Sequence, residues 1–145
     1  MAGEDDVTDS VTREQRSHNM SRIRASNTLP ELIVRSALHR LGYRFRLHCA
    51  TLPGKPDIVL SKHRTVIFVN GCFWHQHPGC HRATMPKSRQ CYWRPKLEGN
   101  VRRLQLVARE LSQAGWNVVV VWECETKSVS QLEDRLMAEI GPPTH

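Results

Sequence analysis

The stretch "NVVVVWEC", residues 117–124, constrains the fold more than any other in this chain. Four consecutive β-branched valines favour an extended backbone, and no other segment reads so clearly as a strand. Around it, "YRFRL" at 43–47 alternates as a half-buried strand, and "DIVL" and "TVIFV" read as two short apolar strands joined through the polar "SKHR". Helical periodicity appears three times. "TLPELIVRSALHRLG" has Thr28 as N-cap, Glu31 at the capping-box position, Leu29, Ile33, Ala37 and Leu41 on one stripe, and Gly42 as terminator. After a loop-like, cysteine-containing middle, Leu97, Val101, Leu104, Ala108 and Leu111 mark an amphipathic helix. Val129, Leu132, Leu136 and Ile140 mark another, stopped by Gly141, Pro142 and Pro143. The order α-β-β-β-α-β-α predicts an α/β fold with a mixed sheet covered by helices.

A length of 145 residues suits one domain with one core, so function has to be built into that fold. No apolar run is long enough to span a membrane, and the acidic start "MAGEDDVTDS" lacks the layout of a secretory signal, which predicts a cytoplasmic protein. In a reducing compartment five cysteines are poor disulfide formers, and those that cluster are better read as metal ligands. The net charge of +7 favours a polyanionic partner. The predicted organisation is a disordered tail at 1–12, a DNA-contacting arm at 13–27, a folded domain at 28–141 and a short tail at 142–145. The arm, "TREQRSHNMSRIR", interleaves Arg16 and Arg22 with Asn19 and other polar groups, as a phosphate-contacting segment would. The same composition also fits a solvated terminus.

"NGCFWHQHPGCH", residues 70–81, packs two cysteines and three histidines into one short stretch. Cys72, His77 and Cys80 are spaced to wrap around one ion, and Cys124 directly follows the long strand. Such a closed Cys₃His set suits tetrahedral zinc with a structural role, tying an otherwise irregular loop to the strand end. His75 and His81 compete for the histidine position, and ordinary buried cysteines are the alternative. Separately, "LPGKPDIVL" delivers Asp57 to the start of an apolar strand, a placement that suits a hard oxygen ligand for Mg²⁺ but is equally ordinary turn chemistry.

The combination "RSHNMSRIR", "LPGKPDIV", "VIFVNGCFWHQHPGC", "YWRPKLEGNV" and "GWNVVVVWEC", in this order, closely resembles the very short patch repair (Vsr) DNA mismatch endonucleases over about residues 13–126. The resemblance implies a fold like that of type II restriction endonucleases. It implies a Mg²⁺-dependent cut of one strand 5′ of the thymine in a T·G mismatch, the lesion left by deamination of 5-methylcytosine. It further implies a monomer acting on double-stranded DNA near the bacterial nucleoid, with mismatch-repair proteins as further partners.

Carried over by position, the resemblance makes Asp57 and the backbone carbonyl of Val69 ligands of the catalytic Mg²⁺. His75 becomes the base that activates the attacking water, and Glu31 an acidic group near the metal. Cys72, His77, Cys80 and Cys124 match structural zinc ligands. Phe73, Trp74 and Trp93 match aromatics that wedge into the mismatch, Met20 matches a residue entering from the other groove, and Arg16, Asn19, Arg22 and Lys96 are assigned to the DNA surface. Three positions depart from the best-known member. Asn70 replaces a second active-site histidine and can donate a hydrogen bond but not shuttle a proton. Leu104 replaces an aspartate that orients His75. The segment between His77 and Cys80 is longer by one residue. These departures keep a second reading open, a zinc-stabilised protein that binds mismatched or distorted DNA with weak or no cleavage.

Overall fold

The computed structural model describes residues 28–143. Helix α1 (Leu29–Leu41) begins where its N-terminal signals predict, with the Thr28 side chain accepting a hydrogen bond from the Glu31 N–H at 3.4 Å, and it ends on Gly42 in the left-handed region at φ 93°. Four strands follow in the pattern expected: β1 (Arg46–Leu47), β2 (Ile58–Leu60), β3 (Thr65–Asn70) and β4 (Asn117–Trp122). They form one sheet in the order β1-β2-β3-β4. The first two pairings are antiparallel and the last, β3 with β4, is parallel. A parallel neighbour needs a long crossover, and helix α2 (Gln90–Gln113) lies within it. Helix α3 (Val129–Ile140) closes the described chain.

Strands β2 and β3 bury both faces, which explains why their sequences are near-continuous apolar runs rather than alternating ones. Ile58, Leu60, Ile67, Val119 and Val121 pack with Val34, Ala37 and Leu38 of α1 and Leu132, Leu136 and Ile140 of α3. Val59, Val66 and Phe68 point the other way, onto Leu111 and Val107 of α2. The sheet is therefore sandwiched between two helices on one side and one on the other.

Three local expectations need correction. In α1 the buried apolar residues are Val34, Ala37 and Leu38, with Ile33 and Leu41 of the expected stripe partly buried against the same core, while Leu29 is 70% exposed. The apolar face is thus wider than one row, and packing against α3 and the sheet centres it near Val34 rather than at Leu29. "YRFRL" forms only a two-residue strand, with Arg46 and Leu47 both exposed, because Tyr43 is instead drawn into the core, where its hydroxyl donates to the Gly141 carbonyl. Finally, α2 starts at Gln90, ahead of its apolar stripe, and carries Pro95 inside it. Proline lacks one donor and ordinarily marks a helix start, so the first turn, with Trp93, is hidden from periodicity.

Gly54 fixes the turn before β2. Its φ of +72° suits glycine, and a Cβ there would collide with Val107 of α2. The turn can thus lie flat on the helix and bring Asp57 to the head of the strand.

Candidate active site and metal centre

Asp57 immediately precedes β2, and its Oδ2 accepts the Val69 N–H at 2.8 Å, so the carboxylate rests against the main chain near the end of β3. Glu31, only 2% exposed on α1, comes up beside it. The Glu31 carboxylate is held by Arg35, one turn further along the helix, and Nε2 of His48 lies 2.7 Å from its Oε2. Ligand atoms of Glu31, His48 and Asp57 all lie within 4.8 Å of one another, a group that could hold a metal ion. Burial pushes the Asp57 carboxyl up to about 6, and the Glu31 charge adds to the rise while the Val69 N–H, His48 and Arg35 oppose it. A carboxylate so raised is one that a cation would favour strongly, and the oxygen-rich donor set fits Mg²⁺.

One residue beyond Val69, Asn70 ends β3 at 6% exposure, and its Nδ2 has no hydrogen-bond partner among the described residues. Beyond it the chain turns at 71–77, where the His75 N–H donates to the Gly71 carbonyl and the His77 N–H to the Cys72 carbonyl. The Nδ1 atom of His75 is also buried without a partner among the described residues. Burial holds this imidazole below the usual histidine range, and the Arg103 guanidinium acts in the same direction. Leu104, the next residue on α2, is an apolar side chain and offers His75 no carboxylate. Among the described residues His75 and Asp57 share no hydrogen bond or ion pair. The fold therefore gathers Asp57, Glu31 and His48 into one cluster and presents Asn70 and His75 from the segment leading out of β3.

The second cluster contains the four residues expected from spacing. Cys72, His77, Cys80 and Cys124 place their ligand atoms within 4.8 Å of one another, and together they could hold a metal. His77 turns Nδ1 inward, 3.7 Å from Cys72 Sγ and 3.5 Å from Cys124 Sγ. His81 is exposed and outside the cluster. Cys124 sits in the short 3-10 turn Glu123–Lys127 directly after β4, so the loop is bound to a strand end. Burial, together with the neighbouring Cys124 and Cys80 thiols, pushes the Cys72 thiol up to about 12. Three sulfurs and a nitrogen converging on one point are chemically suited to a thiophilic divalent ion. Two supporting residues were not foreseen: Trp122 stacks on His77, and the Glu123 carboxylate accepts the Cys72 N–H at 3.4 Å.

The loop after β3 and the first turn of α2 together carry an aromatic group. Phe73, Trp74 and Trp93 have ring centroids 5.2 to 5.9 Å apart, and exposed Tyr92 adds a fourth ring 5.1 Å from Trp93. Lys96 rides over the Tyr92 ring at 5.8 Å. Asn100 of α2 donates to the Trp74 carbonyl at 2.9 Å and anchors the loop to the helix. Arg16, Asn19, Met20 and Arg22 lie outside the described residues.

Residues 8–82 match the family described as DNA mismatch endonuclease Vsr. The chain is 49% identical over 136 residues to the "Type II nicking enzyme V.XorIIP" of Xanthomonas oryzae pv. oryzae, covering 94% of this chain and 99% of the relative. It is 42% identical to the "Type II nicking enzyme V.NmeAIP" of Neisseria meningitidis, covering 90% and 92% of the two chains. With the "DNA mismatch endonuclease Vsr" of Escherichia coli it shares 39% identity, over 92% of this chain and 83% of the relative. The α/β sandwich and these relatives define a DNA endonuclease, a hydrolase of the sugar–phosphate backbone. Within that class the chain belongs to the Vsr DNA mismatch endonuclease family.

Proposed function

We propose that this endonuclease nicks one strand of double-stranded DNA 5′ of the thymine in T·G mismatches and depends on Mg²⁺ to do so. The observation that carries the reading is the Asp57 carboxylate, which accepts the Val69 N–H and whose burial, with Glu31 beside it, raises its pKa to about 6. Such a site favours a divalent cation, for which Asp57 and the Val69 carbonyl are the expected ligands. Mg²⁺ bound there would offset charge developing on the scissile phosphate. His75, kept neutral near pH 7 by burial, would accept the proton of the attacking water. Asn70, whose Nδ2 lacks a partner among the described residues, would donate to a phosphate oxygen.

Recognition of the mismatch falls to the aromatic group. Phe73, Trp74 and Trp93 form one cluster whose flat apolar faces can enter a weakened base step, and Lys96, over the neighbouring Tyr92 ring, supplies charge. The Cys72, His77, Cys80 and Cys124 set would hold zinc, whose task is to fix the loop that carries both the aromatics and His75.

The test is to incubate the protein with end-labelled duplexes that carry T·G in varied contexts or are fully paired, with and without Mg²⁺. Nicking of the thymine strand on its 5′ side, dependent on both the mismatch and the metal, is the expected result. Equal cutting of paired DNA would refute the specificity, and undiminished cutting in a chelator of Mg²⁺ would refute the metal dependence.

A further inference from the structure

His48 belongs to none of the motifs read in the sequence, yet the fold directs it into the cluster around Asp57. It follows β1 with a left-handed backbone, φ 48°, and its N–H donates to the Asp57 carbonyl at 3.0 Å, which sets the imidazole beside the head of β2. Its Nε2 stands 2.7 Å from Glu31 Oε2, and the Asp57 carboxylate falls within the same 4.8 Å group. Adjacent ligand atoms on an octahedral ion at about 2.1 Å are separated by roughly 3 Å, so one ion can touch all three side chains after small rotations. Arg35 also binds Glu31, which leaves that carboxylate an ion-pair partner when the imidazole turns to a metal.

We propose that His48 supplies a nitrogen ligand to the Asp57 metal centre and that the centre therefore takes borderline cations such as Mn²⁺ and Co²⁺ as well as Mg²⁺. The inference rests on the proposed role of Asp57 as a metal ligand and adds a donor of different chemistry. Mg²⁺ prefers oxygen and surrenders water reluctantly, so a nitrogen donor contributes little to its binding. Imidazole raises affinity for first-row transition ions, in the order that runs upward from Mn²⁺.

The experiment uses the full-length chain with its cysteine-bound metal retained, and titrates Mn²⁺ under electron paramagnetic resonance. Wild type, Asp57→Asn, His48→Gln and His48→Asn are compared, the last because asparagine tolerates the left-handed backbone at this position. In the wild type, spin-echo modulation should reveal a nitrogen directly coordinated to one bound Mn²⁺. Both His48 variants should lose that coupling and bind Mn²⁺ about tenfold more weakly, while Mg²⁺, read by competition, changes by less than about threefold. Asp57→Asn should abolish the Mn²⁺ site.

Absence of nitrogen coupling in the wild type overturns the inference without reference to any variant. Persistence of the coupling and the affinity in either folded His48 variant overturns it too, while leaving Asp57 as a ligand. Undiminished Mn²⁺ binding by Asp57→Asn would instead remove the metal reading on which the inference stands.

Discussion

The imidazole of His77 lies flat against the indole of Trp122, with ring centroids 4.2 Å apart and planes inclined by 11°. Because Nδ1 faces the cysteine sulfurs, the stack fixes the ring in the orientation that a metal requires, and β4 supplies the platform through its final residue. Trp122→Leu should preserve the ligands but free the ring. We expect the variant to release its metal to a colorimetric chelator with about tenfold weaker retention. Unchanged retention would show that the four ligands alone set the geometry.

Loss of a ligand should have a larger and more local effect. Cys124→Ser unties the loop from β4, and segment 72–89, which contains no helix or strand, should become the first site of proteolysis. Elemental analysis should find one zinc per wild-type chain and substantially less in the variant. Equal protease resistance with zinc absent would contradict a structural role.

Asp57 ties stability to pH in a direction opposite to that of a salt-bridged carboxylate. Its folded pKa is near 6 against an ordinary value of 3.8, so the native state holds a proton that the unfolded chain has released. The associated stabilisation is complete below pH 3.8 and is lost as pH rises through about 6. Without added divalent cation, Asp57→Asn should therefore be more stable than wild type at pH 7.5, by about 1–3 kcal/mol, and nearly equal to it near pH 4. Calorimetric Tm values at both pH values provide the check. The same variant should fail to nick DNA.

Asn70 provides a test of the chemistry. Asn70→Ala removes one donor to a charged group, a loss of about 1.5–3 kcal/mol, and single-turnover nicking should slow accordingly. Asn70→His should retain activity. In wild type the rate should rise with pH through a step below the ordinary histidine range, as His75 loses its proton, with no alkaline fall that depends on Asn70. A bell-shaped profile whose alkaline limb disappears in Asn70→Ala would assign proton transfer to this position.

Stacking by the aromatic group should govern binding rather than fold. Trp93 is half-buried on the first turn of α2, so Trp93→Ala should weaken T·G duplex binding by about 1–3 kcal/mol in a fluorescence anisotropy assay while far-ultraviolet circular dichroism stays unchanged. Wild-type affinity in that variant would exclude Trp93 from the DNA contact.

What could be read before the structure depended on whether a feature is local. Cys72, His77 and Cys80 declare themselves by spacing, β2, β3 and β4 by apolar runs, and α1 by its cap and its terminal glycine. His48 does not, because its significance arises when α1 brings Glu31 across to it from 17 positions away in sequence. Trp122 reads only as the last apolar residue of a strand until the loop folds His77 over it. That Tyr92 and Trp93 stand on a helix was hidden by Pro95, whose usual meaning is a helix start. Where the apolar face of α1 is centred is likewise settled by α3, a partner nearly a hundred residues downstream.

Gly79, the residue by which the His77–Cys80 segment can lengthen, has φ +74° and open space where a Cβ would project, and Pro78 beside it is exposed. The parallel rungs of β3 and β4, from Thr65 with Asn117 to Asn70 with Trp122, offer no such slack, since a single inserted residue would rotate every later side chain to the opposite face. Length variation among relatives should therefore accumulate at 78–79 and be purged from 65–70 and 117–122, making insertion patterns a record of which stretches of backbone hold the two ligand sets in register.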